Sequence, residues 1–248
     1  WIGQPYTINV LRSFIKFFNV QEELASQIDW ESARIQTKYD GSIIKCWYDG
    51  EIWRVSTNGT IDSSTAMIEG DFISFYELFN MAKGDLDFDK LNKNRSYIFE
   101  LTSPLNKVVV DYKEHKIFHI GTIDSETGEE FNEDIGVDKP KEFRCSNQEE
   151  IIEAVSKMSW DEEGYVVVDK YWNRVKIKSP EYVRVHRLYS NVMTKRRALE
   201  IIIINEQSEF LAYFPQYIDL FKNIENAYSK LIKDMSEELK LSMFTDNK

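Results

Sequence analysis

Apolar and polar positions alternate with period two through much of the first two thirds of the chain, then change to helical spacing. At the start, Val10, Leu11, Phe14, Phe17 and Phe18 recur at three- and four-residue steps and predict a short amphipathic helix over 10–18. Residues 22–28 read as a further helical turn. Strands follow at 34–38, 42–48 and 51–57, the last two joined by Asp49-Gly50, a strong hairpin signal. Phe72, Phe75, Tyr76 and Phe79 predict a helix over 72–82, and 84–94 is a charged loop. Further strands are expected at 97–101, 107–112 and 116–120, then an acidic, turn-rich stretch over 122–141. Ser146-Asn147-Gln148-Glu149 has the form of a capping box and opens a helix with Ile151, Ile152, Val155 and Met158 on one face. Residues 164–169 and 174–178 form a strand pair. Beyond Pro180 the segments 182–189, 195–204, 210–214 and 217–241 all read as helices. The expected class is α+β: a domain of antiparallel sheets with flanking helices over 1–188, then a small all-helical region over 189–248.

Composition narrows the setting. Hydrophobic residues at 42% and aromatics at 14% describe a chain that folds around a core. No run of about 18 apolar residues exists to span a membrane. The first residues lack a basic start and an apolar block, so no signal peptide is expected, and a cytoplasmic, reducing compartment is the default. Two cysteines, Cys46 and Cys145, make no disulfide framework and show no metal spacing. The net charge of −11 argues against a nucleic-acid partner, yet residues 170–197 hold nine Lys/Arg against one acid, Glu181. Such a basic zone can bind phosphates locally, although a solvated helix face accounts equally for Lys195-Arg196-Arg197.

Four stretches carry candidate chemistry. Lys38-Tyr39-Asp40-Gly41 sets a lysine at a strand end, followed by an acid and a glycine, although four such residues also occur in surface turns. Glu100 lies within Tyr97-Ile98-Phe99-Glu100-Leu101, a strand of large apolar residues where a carboxylate is seldom buried without a partner. Glu163-Gly164-Tyr165-Val166 places a carboxylate at a strand mouth beside a glycine that permits close backbone approach. In Val175-Lys176-Ile177-Lys178, alternation puts both lysines on one face about 7 Å apart, a spacing that an anion between them would relieve.

In this order the stretches match the covalent nucleotidyltransferases: RNA ligases, DNA ligases and capping guanylyltransferases. KYDGS, FELTSPLNKVVV, EGYVVV and VKIKSPEYV, with Ile15-Lys16-Phe17-Phe18-Asn19 upstream, closely resemble the phage-type RNA ligase 1 family over roughly 11–188. That resemblance implies a nucleotidyltransferase (ATP-grasp-like ligase) domain and a helical C-terminal appendage. It implies that Lys38 takes AMP covalently from ATP, with Mg²⁺ or Mn²⁺, in a pocket shaped by Asp40 and Gly41. Glu100 resembles the carboxylate that contacts the nucleoside sugar, and Glu163 the metal-binding carboxylate. Val166 would lie near the adenine face. Lys176 and Lys178 match the pair that holds the ATP phosphates, Lys16 a lysine on the phosphate tail, and Arg54 a sugar or substrate-phosphate contact. Burial and the positive charge of Lys176, Lys178 and the metal are expected to lower the pKa of Lys38 for attack.

The implied partners are RNA ends bearing 5′-phosphate and 3′-hydroxyl, nicked tRNA among them, and an end-healing kinase or phosphatase. A viral origin is in keeping with the phage-type family. Two departures stand out. Asn58 occupies a place commonly basic in the family, and a phosphate-contacting arginine would fall before Trp1. Either upstream residues are missing or first-step activity is compromised. His115 and His119 read as ordinary strand residues, and His186 as a phosphate neighbour. Alternatives are a capping guanylyltransferase, a DNA ligase, or a non-catalytic RNA-binding module.

Overall fold

The computed structural model describes residues 10–68, 72–145, 147–189 and 193–245. Two compact units emerge: residues 1–20 with 24–189, and residues 21–23 with 190–248. The larger unit contains two five-stranded sheets. The first has the order β1 (Phe18–Asn19), β10 (Arg174–Lys178), β9 (Gly164–Val168), β2 (Arg34–Lys38), β8 (Glu142–Phe143). The second has the order β4 (Trp53–Thr57), β3 (Ser42–Tyr48), β5 (Arg95–Thr102), β6 (Lys116–Asp124), β7 (Glu130–Phe131). All pairings are antiparallel except β1 with β10.

Each sheet buries one face under a helix. Ile44, Cys46, Tyr97, Phe99 and Leu101 of the second sheet pack with Leu78, Phe79 and Ala82 of α1 (Phe75–Ala82). Ile35, Val167, Val175 and Ile177 of the first sheet pack with Ile151 and Val155 of α2 (Gln148–Ser156). The period-two pattern then forces the polar residues of β2 and β10 onto the opposite face. That face looks toward the second sheet: Arg174 of β10 makes a bidentate pair with Glu130 of β7 at 2.9 and 2.5 Å, and Tyr39 stacks on Phe118 with centroids 3.8 Å apart.

Several expectations are corrected. Residues 10–17 form no helix; the segment is extended and ends in β1. Its partners are spread over several strands, so contact geometry overrides helical spacing. The Arg12 amide donates to Ser96 Oγ at 3.0 Å, and the Phe14 ring occupies the space a side chain at Gly121 would take. Residues 22–28 hold a turn, not a helix. Residues 107–112 form no strand, because the successive amides of Val109 and Val110 both donate to Asp40 Oδ2 at 2.8 Å. In a strand, neighbouring amides point to opposite sides. His115 consequently lies before β6, with Nδ1 2.9 Å from Ser103 Oγ, whereas His119 lies inside β6.

Ser146 lies outside the described residues, and the cap of α2 is Asn147, whose side chain accepts from the Glu150 amide. A full capping box occurs instead at Ser74 and Glu77 of α1. Beyond β10 run α3 (Pro180–Tyr189), α4 (Lys195–Ile203), α5 (Gln207–Tyr213) and α6 (Ile218–Thr245). In the smaller unit Ala198, Ile201, Ile202 and Phe221 form a core. No helix among the described residues is long and apolar enough to cross a membrane.

Candidate active site

Lys38 ends β2, directly across from Gly164, which in turn pairs with Lys178 of β10. Three neighbouring strands thus bring Lys38, the Glu163-Gly164 step and Lys178 to one point. Gly164 is required there. Its φ is +137°, and a Cβ would lie 2.1 Å from the Ile177 carbonyl oxygen. Glu163 is buried and sits between two ammonium groups, with Oε2 2.8 Å from Lys38 Nζ and Oε1 3.2 Å from Lys178 Nζ. Lys176 lies one row farther along the same face, opposite Val166, and is also buried.

The turn after Lys38 is held from three sides. The buried Asp40 accepts from Val109 and Val110 through Oδ2 and from the Tyr182 hydroxyl through Oδ1 at 2.7 Å. The Asp40 amide donates to the Tyr112 hydroxyl at 3.0 Å, and the Gly41 amide to Glu100 Oε1 at 3.1 Å. At Gly41 a Cβ would fall 2.3 Å from the Leu101 carbonyl oxygen, so glycine alone lets the chain pass between the sheets here. Burial holds both phenols above their ordinary range, which keeps both neutral, Tyr112 accepting from the Asp40 amide and Tyr182 donating to its carboxylate.

The charges correct one expectation. Burial pushes Lys38 downward and Lys178 adds to that push, but Glu163 and Glu100 outweigh them, so its pKa is raised. Lys38 is therefore an ammonium in this state, neutralised by Glu163. Glu100 moves the other way. Burial raises it to about 7 despite the opposing pull of Lys38. No three Asp, Glu, His or Cys side chains among the described residues form a metal cage. Glu163 suits a Mg²⁺ or Mn²⁺ held largely by nucleotide phosphates and water, the usual mode for Mg²⁺.

A family model described as RNA ligase, of the phage T4 RNA ligase 1 type, matches residues 6–182. The chain belongs to this RNA ligase family. It is 28% identical over 266 residues to a protein of Autographa californica nuclear polyhedrosis virus named as a bifunctional polynucleotide kinase/RNA ligase, covering 96% of this chain and 37% of that one. To the RNA ligase of Rhodothermus phage RM378 it is 26% identical over 262 residues, covering 83% and 60%. The chain thus spans between about a third and three fifths of these relatives. Among solved structures, a Naegleria gruberi RNA ligase with pyrophosphate aligns with a TM-score of 0.48 and 14% identity, over 62% of this chain and 51% of that one.

In this RNA ligase-family chain the fold brings together Lys38, Asp40, Gly41, Glu100, Glu163 and Lys178, with Lys176 and Val166 in the next row. Lys16 lies two residues before β1, its ammonium 5.2 Å from the Phe18 ring, and β1 runs beside Lys176. Arg54 does not join the cluster. It pairs with Trp47 near the far end of β3, roughly 17 Å along the strand from Ser42, and its guanidinium bonds Asp49 at 2.5 Å. Asn58 stands exposed in the bend after β4. His186 is exposed on α3, its ring stacked at 5.9 Å from Tyr182. Tyr112, Tyr182 and the Val109 and Val110 amides were not picked out from sequence. A signal for Tyr182 existed: Ser179-Pro180 opens a helix directly after Lys178, and its first turn must face back toward the site.

Proposed function

We propose that this chain transfers AMP from ATP onto Lys38 and then to an RNA 5′-phosphate, so that a 3′-hydroxyl can seal the strand. The observation that carries this reading is the Lys38 amine held against Glu163, with Lys178 on the same carboxylate and Glu100 at the following turn.

Lys38 must lose a proton before it can attack. Its ammonium is sustained by Glu163 and Glu100 against the opposing push of burial and Lys178. Triphosphate bound along Lys176 and Lys178 would bring those lysines to the phosphates, while a divalent cation on Glu163 would supply charge neutralisation there. With Glu163 engaged elsewhere, burial dominates, the ammonium gives its proton to solvent water and the amine is left as a neutral nucleophile. Nitrogen then bonds the α-phosphorus as the bond to pyrophosphate breaks, with Lys176 and Lys178 placed to stabilise the departing charge. In the second step an RNA 5′-phosphate oxygen displaces the Lys38 nitrogen from AMP. In the third, a 3′-hydroxyl attacks the 5′-phosphorus and AMP leaves. Glu100 would accept from the nucleoside sugar, and Asp40, its carboxylate clamped by three donors, would fix the direction of Lys38.

The RNA ends come from breakage, nicked tRNA included, and the kinase named in the viral relative supports an end-healing activity acting before this one. A cytoplasmic setting is in keeping with ATP and RNA as substrates. The deciding test incubates the protein with Mg²⁺ and labelled ATP or GTP beside Lys38→Ala. An ATP-specific adduct absent from the variant supports the reading. A GTP adduct favours capping chemistry. No adduct, together with no sealing of pre-adenylylated RNA, leaves a binding module.

A further inference from the structure

β3 alternates between the α1 core and the inner face. Ile44 and Cys46 enter the core, so Ile43, Lys45 and Trp47 face the other sheet. Register places Ile43 opposite Glu100, Lys45 between Ile98 and Ser56, and Trp47 opposite Arg54. Lys45 is thus the diagonal neighbour of Glu100, with Cα atoms roughly 7 Å apart. It is 6% exposed. Among the described residues it has no hydrogen-bond or ion-pair partner, whereas Lys38, Lys178 and Arg174 of the facing sheet each meet a carboxylate.

The stem of Lys45 is buried while its Nζ still meets solvent on the inner face, and partial desolvation pulls its pKa below the usual lysine range. Packing alone would be served better by an apolar side chain. The position instead suits an anion delivered from outside. Trp47 in the next row offers a flat surface beside Arg54, a pairing of aromatic and cation common where nucleic acid is held.

We propose that Lys45 is a phosphate-binding residue on the cleft wall opposite Lys176 and Lys178, taking a phosphate of the substrate. This rests on the ligase reading above. The phosphate belongs either to the nucleotide or to the RNA end, and kinetics separate the two.

The test compares wild type, Lys45→Met and Lys45→Arg in adenylyl-Lys38 formation against ATP, and in sealing of pre-adenylylated RNA. The expected result is a KM rise of at least about tenfold for Lys45→Met in one arm, restored by arginine, with an unliganded Tm equal to or above wild type. A rise confined to the ATP arm assigns the nucleotide phosphate; one confined to the RNA arm assigns the RNA phosphate. KM values within about twofold of wild type in both arms overturn the proposal. If the methionine variant does not fold, Lys45→Gln is read in the same assays. If the wild type shows neither adduct nor sealing, the ligase reading fails by itself. Calorimetry with pyrophosphate then decides for Lys45: binding weakened by the substitution supports the site, and equal or absent binding removes it.

Discussion

At the scale of single residues the site holds opposed charges whose balance is set by burial. Glu100 is the clearest case. Its carboxyl titrates near 7 in the folded chain, above the ordinary value of 4.5, chiefly because burial penalises the anion. The folded state therefore binds more protons than the unfolded state between these two values. Stability from this group is present below 4.5 and is lost as pH rises through 7. The shift corresponds to roughly 3 kcal/mol at most. Glu100→Gln keeps an oxygen for the Gly41 amide and removes the charge. Its Tm should rise above wild type at pH 8 and match it near pH 4.5, while adenylylation falls. A variant no more stable than wild type at pH 8 would show that Lys38 fully compensates the buried carboxylate. Gly164 is constrained by space. Gly164→Ala forces a Cβ into the Ile177 carbonyl at positive φ. A loss of roughly 3 kcal/mol or more is expected, visible as a drop in soluble yield and in Tm.

At the scale of elements, the turn after Lys38 is built by segments far apart in sequence. Asp40 draws in the 107–112 loop through two amides and α3 through Tyr182. Tyr182→Phe removes one hydroxyl–carboxylate hydrogen bond and should cost about 1–3 kcal/mol. The adduct should form more slowly from ATP, with sealing of pre-adenylylated RNA less affected, because Lys38 acts as nucleophile only in the first case. A variant with normal adenylylation and normal Tm would reduce Tyr182 to packing. Asp40→Asn should be worse, since an amide has one acceptor oxygen for donors on both sides. The same scale explains the failed helix over 10–18. Its aromatic residues do recur at helical spacing, but Phe14 is needed at Gly121 and Phe18 beside Val175. An extended chain reaches both, at about 3.3 Å per residue where a helix advances 1.5 Å.

At the scale of the whole molecule, charge is strongly segregated. The chain carries a net −11, yet residues 170–197 hold nine basic residues against one acid. If RNA phosphates bind along the part of this zone within the larger unit, residues 170–187, sealing should weaken steeply between about 50 and 200 mM salt, while adenylylation from ATP changes little. Equal salt dependence of the two steps would place RNA binding elsewhere. ATP with Mg²⁺ should also raise the Tm of the wild type in a concentration-dependent way and raise that of a Lys176→Ala/Lys178→Ala double variant less.

The sequence by itself determined the α+β class, most strands, the late run of helices and the ordered set Lys38, Glu100, Glu163, Lys176 and Lys178. It could do so because strand alternation and motif order are local properties, readable without knowing what packs where. Tertiary structure alone decided the rest. It turned 10–18 into an extended arm and 107–112 into a loop, because each answers to partners far along the chain. It moved Arg54 away from the site by giving it Asp49. It also set Lys38 as an ammonium, since the balance between burial, Lys178 and two carboxylates exists only once β2, β5, β9 and β10 have met.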